Sequence, residues 1–406
     1  MVDGMPLSGV RIVSTAQVIA GSGCATYLGD LGADVIKVES PRGDIYRGGR
    51  ELEGERASAG FEQMNRNKRS ISVDLKTDEG KEVVYDLIED ADVFLQNWPP
   101  GVDESLGVDY ETLTEKNEDL IYVHVSGYGD TGPLAGEPAM DAAIQHASGL
   151  SSIMGFEGDP PIRAQSSLAD WYSATNAAVA TLAALWHRRN GGGGQKIEIS
   201  MLESLMHNID HAFEFHLNFD DVEFHRGGRN SYLNPDSLYG AAETADGWVC
   251  VAFYLSSDRV WRGFCNLLDR PDLLEDPEYQ DPANRVAEGT RFSEMLEDWI
   301  RERTSEECLE EMSAEGIPVA PHNTIPEAAE MEHVKERDWF KEVEHSRFGT
   351  FTLSRPPFRL SETDADVFRH APGLGQQSSE ILREAGYSEE EIEELREGDV
   401  IREYEA

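Results

Sequence analysis

Two aspartates are the residues of this chain best suited to covalent or acid–base chemistry. Asp170 precedes a run of small residues predicted to form a helix from near Ser173, and Asp141 lies upstream. An aspartate in front of a helix most often caps it. That position also favours an ionised carboxylate, which can act as a nucleophile but not as a general acid. The sequence therefore predicts an anionic Asp170, whereas Asp141 is either an auxiliary acid or a loop cap.

A short basic run stands out against an acidic background. Residues 65–70 read Asn-Arg-Asn-Lys-Arg-Ser in a chain with a formal net charge of −43. Such a run is usually a solvated loop, but an anionic ligand needs local positive charge, and arginine suits phosphate well. The sequence favours the second interpretation, with Arg66 and Arg69 as candidate anion-binding residues.

The elements that would position these residues begin with a strand, a glycine-rich turn, a helix and a second strand. The predicted elements are Val10–Val13, Cys24–Leu31 and Asp34–Glu39. Glycines in such a turn let a phosphate approach the N–H groups of a helix N-terminus. Gly21 and Gly23 match a dinucleotide fingerprint, whereas Thr26 stands where a third small residue is expected. An NAD-dependent oxidoreductase and a plain buried turn both stay open from these residues.

Strand and helix patterns alternate as far as residue 200. Further strands are predicted at Ile71–Leu75, Val93–Leu95, Leu120–Val125 and Lys196–Ile199. Helices are predicted at Asp78–Glu89 and Ala174–Arg189, the latter ended by the glycines 191–194. This alternation predicts an α/β fold with a Rossmann-like parallel sheet.

The rest of the chain predicts a second domain and a C-terminal segment. We expect a large α/β domain over residues 1–215, a smaller α+β domain over 220–325 and a C-terminal segment over 326–406. The acidic tail from Ser388 is predicted to form a solvated helix.

Composition limits the possible partners and the cellular setting. The chain has 78 acidic and 35 basic residues among 406, a charge that repels itself unless salt screens it. At molar salt the Debye length is roughly 3 Å. The composition therefore indicates a cytoplasmic protein of a salt-loving organism, without nucleic acid or an anionic membrane as partner. The four cysteines lack metal-site spacing, and no apolar run is long enough for a membrane span.

Several longer motifs identify a family. They are Leu31–Glu39, Asn67–Ile71, Asp74–Lys76, Gly80–Lys81, Ala91–Val93, Gln96–Gly101, Ser126–Gly129, Ala183–Arg188, Gly194–Ile197 and Gly316–Val319. With these motifs the chain resembles the class III (CaiB/BaiF-type) CoA-transferases over essentially its whole length. The resemblance displaces the dinucleotide interpretation. It implies an interlocked homodimer in which the C-terminal segment returns to the large domain.

The resemblance also implies a mechanism and a set of binding residues. Asp170 aligns with the nucleophilic aspartate that carries an aspartyl-CoA thioester, so CoA is a co-substrate and no cofactor is tightly bound. The aligned CoA-binding positions are Gln17, Val18, Ala20, Val73, Lys76 and Asn97. Two cationic positions of the family are Ser40 and Ser105 here. This difference implies that the phosphate contacts shift, with Arg42, Arg66 and Arg69 as candidates.

Differences from the family's branches suggest the substrates, which are an acyl-CoA and small carboxylic acids. The racemase branch carries a histidine where this chain has Met140, and methionine cannot transfer a proton. The formyl-CoA branch carries a tetraglycine loop in the region of residues 226–230, which read Arg-Gly-Gly-Arg-Asn. Family and salt adaptation together favour transfer from succinyl-CoA to mesaconate in methylaspartate-based acetate assimilation. Intramolecular mesaconyl-CoA transfer, formyl-CoA-type transfer and carnitine-type transfer remain alternatives, with a 2-methylacyl-CoA racemase less favoured. Arg47 or Arg163 is a candidate ligand for a distal carboxylate.

Overall fold

The structure, a computed structural model, describes residues 4–48, 51–52, 55–56, 58–209, 211–220, 222–232 and 237–403. The chain divides into two units. The first comprises Met1–Ser148, Ala164–Asp210 and Arg337–Ala406, and the second comprises Gly149–Arg163 and His211–Glu336. Residues 149–163, which the sequence prediction assigned to the large domain, thus belong to the second unit.

Fourteen strands occur in the described residues. They are β1 (Arg11–Ser14), β2 (Asp34–Glu39), β3 (Glu51–Leu52), β4 (Glu55–Arg56), β5 (Lys68–Val73), β6 (Val93–Gln96), β7 (Ile121–Ser126), β8 (Gln195–Ser200), β9 (Tyr239–Glu243), β10 (Trp248–Ala252), β11 (Val319–Pro321), β12 (Phe340–His345), β13 (Gly349–Ser354) and β14 (Ile401–Arg402).

The helices of the first unit are α1 (Ala20–Asp30), α2 (Ala59–Asn65), α3 (Asp78–Glu89), α4 (Val102–Leu106), α5 (Tyr110–Thr114), α6 (Asp141–Ala147), α8 (Leu168–Arg189), α9 (Met201–His207), α18 (Ser378–Glu384) and α19 (Glu389–Glu397). Those of the second unit are α7 (Leu150–Ile153), α10 (Ala212–Asn218), α11 (Asp258–Leu267), α12 (Pro271–Glu275), α13 (Pro282–Ala287), α14 (Gly289–Arg301), α15 (Ser305–Ala314), α16 (Ile325–Glu330) and α17 (Glu332–Glu336).

A seven-stranded sheet organises the first unit, in the order β14-β5-β2-β1-β6-β7-β8. All neighbouring strands are parallel except β14, which runs antiparallel to β5. The predicted parallel sheet is therefore confirmed. From β1 the chain first adds strands β2 and β5 on one side and then β6, β7 and β8 on the other side. The ends of β1 and β6 thus form a topological switch point, where open α/β sheets bind their ligands.

The acidic tail differs from its prediction as a solvated helix. Helix α19 forms, but the chain then continues into β14, which pairs with β5 at the edge of the sheet. Ile392, Val400 and Ile401 are buried and supply the apolar contacts that dock this segment. These three apolar residues are widely spaced among many glutamates, so no clear sign in the sequence indicated that the segment would be buried.

Helix α8 begins six residues earlier than predicted, at Leu168 instead of Ala174. Ser167 occupies the N-cap position, so Asp170 lies inside the first turn and does not cap the helix. The end is as predicted, because Gly191 adopts the left-handed conformation (φ +88°) that follows a helix C-terminus.

The second unit contains a three-stranded antiparallel sheet in the order β11-β10-β9. Aromatic residues of α11 and α14 fill its core, where Trp261 lies 4.8 Å from Phe292 and 5.5 Å from Phe264 between ring centroids. The predicted α+β character is confirmed. Among the described helices, even the 22-residue α8 lacks the apolar length that a bilayer-spanning segment requires.

Candidate active site

The turn between β1 and α1 is tied to the end of β6 at the switch point. The Gln17 backbone N–H donates to Asn97 Oδ1 at 2.9 Å, and Asn97 Nδ2 donates back to the Gln17 carbonyl at 2.9 Å. Gly21 permits this packing, since a Cβ there would lie 2.6 Å from that of Ala16. The structure thus brings together two predicted CoA-binding positions, and Ala20 begins the helix that follows them.

Val18, a third predicted position, has an unusual backbone conformation. Its φ of +60° lies in the left-handed region, which a β-branched residue adopts only at an energetic cost. Its backbone N–H lies 3.3 Å from each carboxylate oxygen of Asp44. Residues held in this way concentrate at ligand sites, because the surrounding structure must hold them against their own preference.

A buried ion pair supports this turn from beneath. Lys37 Nζ lies 2.8 Å from Asp44 Oδ2 and 2.7 Å from the Ala16 carbonyl oxygen, and the two side chains are 2% and 0% exposed. Asp44 Oδ1 also accepts the N–H of Tyr46 at 2.9 Å. Neither charged residue was predicted from the sequence to belong to a site. The available signal was a lysine within the apolar strand β2, because lysine is rarely buried without a partner.

A hydrogen-bond network that begins at Asp141 holds the N-terminus of α8, the helix that carries Asp170. Asp141 Oδ1 accepts the N–H of Ala169 at 2.8 Å, so the first residue of α6 caps α8. Asp141 Oδ2 accepts Gln145 Nε2 at 2.7 Å, and the same amide donates to the Ser166 carbonyl at 2.9 Å. The two aspartates identified in the sequence therefore lie close together at the start of one helix.

The same helix packs directly against α1. A Cβ on Gly23 would lie 2.9 Å from the Cβ of Ala174, one turn beyond Asp170. Small residues at both positions allow the two helices to approach closely. This contact brings the N-terminal ends of α1 and α8, and with them Asp170 and the turn at Gln17, to the same region of the first unit.

Burial, and after it the charge of Asp141, raise the pKa of Asp170 from 3.8 to about 7. A hydrogen bond from Ser167 acts in the opposite direction. The raised pKa runs against the prediction that the helix N-terminus holds Asp170 as an anion, because near neutral pH the carboxyl is then only partly ionised. A helix terminus stabilises an anion by about 0.3–1 kcal/mol, whereas a shift of this size corresponds to roughly 4 kcal/mol.

Replacing Asp141 by asparagine is expected to lower the pKa of Asp170, because the amide removes the neighbouring charge and can still accept the Ala169 N–H. If Asp170 must be ionised to react, the pH of half-maximal adduct formation should fall from about 7 by roughly one unit. Quenched-flow mass spectrometry from pH 5 to 9 measures this midpoint. The exposed Glu137→Gln change is the control, and equal midpoints in all three proteins would contradict the expectation.

Tyr46 is a further residue of the site that the sequence did not indicate. Burial raises the pKa of its hydroxyl, and the charges of Asp170 and Asp44 add to the effect. Its side chain packs against Gly60, where a Cβ would lie 2.3 Å from the Tyr46 hydroxyl oxygen. The charge of Asp170 therefore affects the pKa of the Tyr46 hydroxyl, although more than a hundred residues separate them in the chain.

The basic run does not form an open cation cluster. Arg66 Nη2 lies 2.6 Å from Asp30 Oδ2, and Arg69 Nη2 lies 2.6 Å from Asp34 Oδ2. The intervening Lys68 is buried and donates to backbone carbonyls. These ion pairs run against the prediction that Arg66 and Arg69 contact a phosphate. Each charge is neutralised or hydrogen-bonded inside the unit, because the run enters the buried strand β5.

The remaining predicted residues differ in their surroundings. Val73 is buried at the end of β5, whereas Lys76 follows it with an exposed side chain. Arg47 is already bonded to Glu39 at 2.6 Å and lies over the ring of Phe61. Arg163 belongs to the second unit.

One group of potential metal ligands occurs in the described residues, formed by Glu62, His345 and His370. His345 Nε2 lies 3.2 Å from Glu62 Oε2. However, His345 Nδ1 accepts the backbone N–H groups of Arg347 and Phe348 at 3.0 and 3.3 Å. The neutral ring must then carry its proton on Nε2, which leaves no lone pair there for an ion. These residues therefore do not fit a metal site.

Comparisons with known proteins agree on one family. A family model described as CoA-transferase family III matches residues 7–378. The chain is 32% identical over 389 residues to the succinyl-CoA:mesaconate CoA-transferase of Haloarcula hispanica, covering 94% of this chain and 96% of that protein. It is 33% identical over 406 residues to the beta subunit of the succinyl-CoA–L-malate CoA-transferase of Chloroflexus aurantiacus, covering 98% of each. A CAIB/BAIF family protein from Brucella suis superimposes with a TM-score of 0.79 and 29% identity, covering 94% of this chain and all of that one.

Proposed function

The chain belongs to CoA-transferase family III, and on that premise we propose that it transfers CoA from succinyl-CoA to mesaconate through a thioester on Asp170. The observation that carries this proposal is a half-buried carboxylate with a raised pKa at the start of α8. A carboxylate of raised pKa is a stronger nucleophile once ionised. Its partial burial also limits the access of water to any acyl intermediate.

The first half-reaction forms the covalent intermediate. Ionised Asp170 attacks the thioester carbonyl of succinyl-CoA, which gives a mixed succinyl–aspartyl anhydride and CoA thiolate. The thiolate then attacks the aspartyl carbonyl, so that an aspartyl-CoA thioester forms and succinate leaves. The free energy of the thioester is thereby kept in a covalent bond and is not lost to hydrolysis.

The second half-reaction repeats these steps in reverse with the acceptor. A carboxylate of mesaconate attacks the aspartyl-CoA carbonyl, which gives a mesaconyl–aspartyl anhydride and CoA thiolate. The thiolate attacks the mesaconyl carbonyl, and mesaconyl-CoA leaves with the Asp170 carboxylate restored. No proton is gained or lost over the cycle, so Asp141 has a positioning and electrostatic role and need not act as a base.

The turn at the switch point would hold CoA through both half-reactions. Gln17 and Asn97 fix each other with two hydrogen bonds. The Lys37–Asp44 ion pair and the Val18 N–H bond to Asp44 also hold the backbone of the turn, and these contacts do not depend on CoA. Such preorganisation lowers the entropic cost of binding a long, flexible molecule. Exposed Lys76 is a candidate for a phosphate contact on the same side of the sheet.

The choice of substrates is supported by the relatives, two of which are named for succinyl-CoA as donor. The test is an assay of the purified full chain with succinyl-CoA and one of mesaconate, L-malate, glutarate or oxalate, at KCl concentrations from 0.1 to 3 M. Mesaconate is expected to give the highest kcat/KM. A higher value with another acid would reject the acceptor, and no acyl exchange with any acid would reject the activity.

Isotopic labelling separates this reaction from the intramolecular alternative. When ¹³C-labelled mesaconate is supplied with unlabelled succinyl-CoA, the label should appear in mesaconyl-CoA with one succinate released per turnover. An intramolecular transferase would isomerise unlabelled mesaconyl-CoA without any free acid. Isomerisation in the absence of succinate and mesaconate would favour that second function.

We also propose that the chain acts as a homodimer. Helix α8 carries Val179 and Trp186 on its outer side, 62% and 67% exposed, and large apolar side chains in one stripe favour a protein contact. Light scattering in molar KCl should give a mass twice that of the 45.1 kDa chain. A single-chain mass over the working concentration range would contradict the dimer.

A further inference from the structure

Three basic side chains on or just after β14, β5 and β2, the three strands at one side of the large sheet, have no carboxylate partner in the described part of the chain. Arg42 follows β2, Lys76 follows β5, and Arg402 lies on β14. All three are exposed. In a chain with a net charge of −43, acidic partners are abundant. Neighbouring cations that lack one therefore indicate a site for an anionic ligand.

Arg402 reaches across the sheet toward the loop after β2. In the strand register Arg402 pairs with Ser72, and Ser72 pairs with Glu39 on the next strand. The Arg402 guanidinium Nη1 lies 3.4 Å from the carbonyl oxygen of Pro41, which directly precedes Arg42. The guanidinium therefore lies beside the loop that carries Arg42, and most of its N–H donors are left for a ligand.

Two carboxylates that lie next to these residues along the strands are bonded to other groups. Glu39 accepts Arg47 at 2.6 Å, and Glu403, which follows Arg402, accepts Arg396 at 2.7 Å. This differs from Arg69, whose charge on β5 is neutralised by Asp34 and Glu384. Arg402 and Arg42 thus have no carboxylate partner in the described residues, whereas Arg69 and Arg396 are paired.

Strand β14 is three strands away from β1, which precedes the turn at the switch point. Neighbouring strands are about 4.8 Å apart, so β14 lies roughly 14 Å from β1 across the sheet. CoA is an elongated molecule with its thiol at one end and a 3′-phosphorylated adenosine at the other. With the thiol end toward Asp170, the 3′-phosphate is the part of CoA that can extend to this edge.

We infer that Arg402 of the C-terminal strand binds the 3′-phosphate of CoA, with Arg42 beside it. The inference rests on the proposed function for the identity of the ligand. A phosphate monoester is a dianion that accepts two parallel hydrogen bonds from one guanidinium. Direct contact is required, because at high salt screening leaves little attraction beyond roughly 3 Å.

Equilibrium binding of CoA and of 3′-dephospho-CoA to the full chain tests this assignment. In Arg402→Gln the Kd for CoA should rise about tenfold, the loss of one charge-assisted contact, while the Kd for dephospho-CoA should stay within about twofold. Arg402→Lys should recover part of the loss. The matched control is Arg189→Gln, another exposed arginine without an ion pair in the described residues, and it should leave both Kd values unchanged.

The outcomes separate this inference from the proposed function, because binding is measured without turnover. Equal weakening of both ligands in Arg402→Gln would assign the effect to another part of CoA and overturn the inference. Unchanged binding of CoA would do the same. If wild-type protein binds CoA with the expected discrimination but transfers no acyl group, the inference stands and the proposed activity falls.

Discussion

Replacing Asp170 by alanine is expected to reduce kcat/KM for CoA transfer by at least about 10³-fold, because it removes the proposed nucleophile. The transfer assay with succinyl-CoA and mesaconate measures the loss. Asp119→Ala is the matched control, since it removes an exposed aspartate outside the site. Wild-type turnover in Asp170→Ala would refute the nucleophile.

The covalent intermediate gives a second, independent measurement of this role. Incubation of wild-type protein with succinyl-CoA should place CoA on the peptide that contains Asp170. Hydroxylamine then converts the thioester into a hydroxamate that mass spectrometry locates. The adduct should be absent from Asp170→Ala and present in Asp119→Ala. An adduct on any other peptide would show that a different residue is the nucleophile.

Stability measurements separate loss of chemistry from loss of fold. The pKa of Asp170 is raised to about 7 in the folded state from 3.8, so folding favours its protonated form. This contribution is fully present below pH 3.8 and is lost as the pH rises through about 7. The neutral variant Asp170→Asn should therefore unfold at a higher temperature than wild type at pH 8, and the difference should shrink toward pH 5. A lower melting temperature at pH 8 would contradict the raised pKa.

Replacing Lys37 by methionine is expected to destabilise the protein by about 3–5 kcal/mol, since it leaves Asp44 buried and charged without a counter-ion. Urea unfolding at fixed KCl concentration measures the free energy. The control is Lys335→Met, which breaks an ion pair of similar length (2.6 Å) whose side chains are 58% and 73% exposed. That change should cost at most about 1 kcal/mol.

A double variant tests whether the charge of Asp44 is the cause. Asparagine at position 44 can still accept the N–H groups of Val18 and Tyr46 but carries no charge. Lys37→Met combined with Asp44→Asn should therefore be more stable than Lys37→Met alone. Additive losses would show that the two side chains are not coupled, and the ion pair would not be the source of the effect.

The sequence indicated the fold reliably where its patterns were local. Strand β2 and helix α3 occupy Asp34–Glu39 and Asp78–Glu89, as predicted. Apolar periodicity and the cap residue Thr77 lie within a few positions of the elements they define, so neighbouring residues alone identify them. The family motifs allowed the fold to be assigned over the whole chain. Each motif is short, but many motifs in a fixed order are together specific for one family.

Charged residues were interpreted less well, because their roles depend on partners far away in the chain. Arg69 appeared to be a free cation, yet Glu384 lies 315 positions later and binds it. Arg402 appeared to be part of a solvated tail, yet it lies beside Pro41, 361 positions earlier. No sequence pattern records such pairs, since the sheet topology alone brings them together.

By itself, the sequence determined the family, the parallel sheet and the two aspartates at which chemistry is expected. Tertiary structure alone decided the ionisation of Asp170, which depends on burial and on Asp141, and the difference between paired and unpaired arginines. The physical reason is that local patterns reflect backbone geometry and apolar burial. Electrostatic free energies instead depend on distance and solvent exposure, which exist only once the chain has folded.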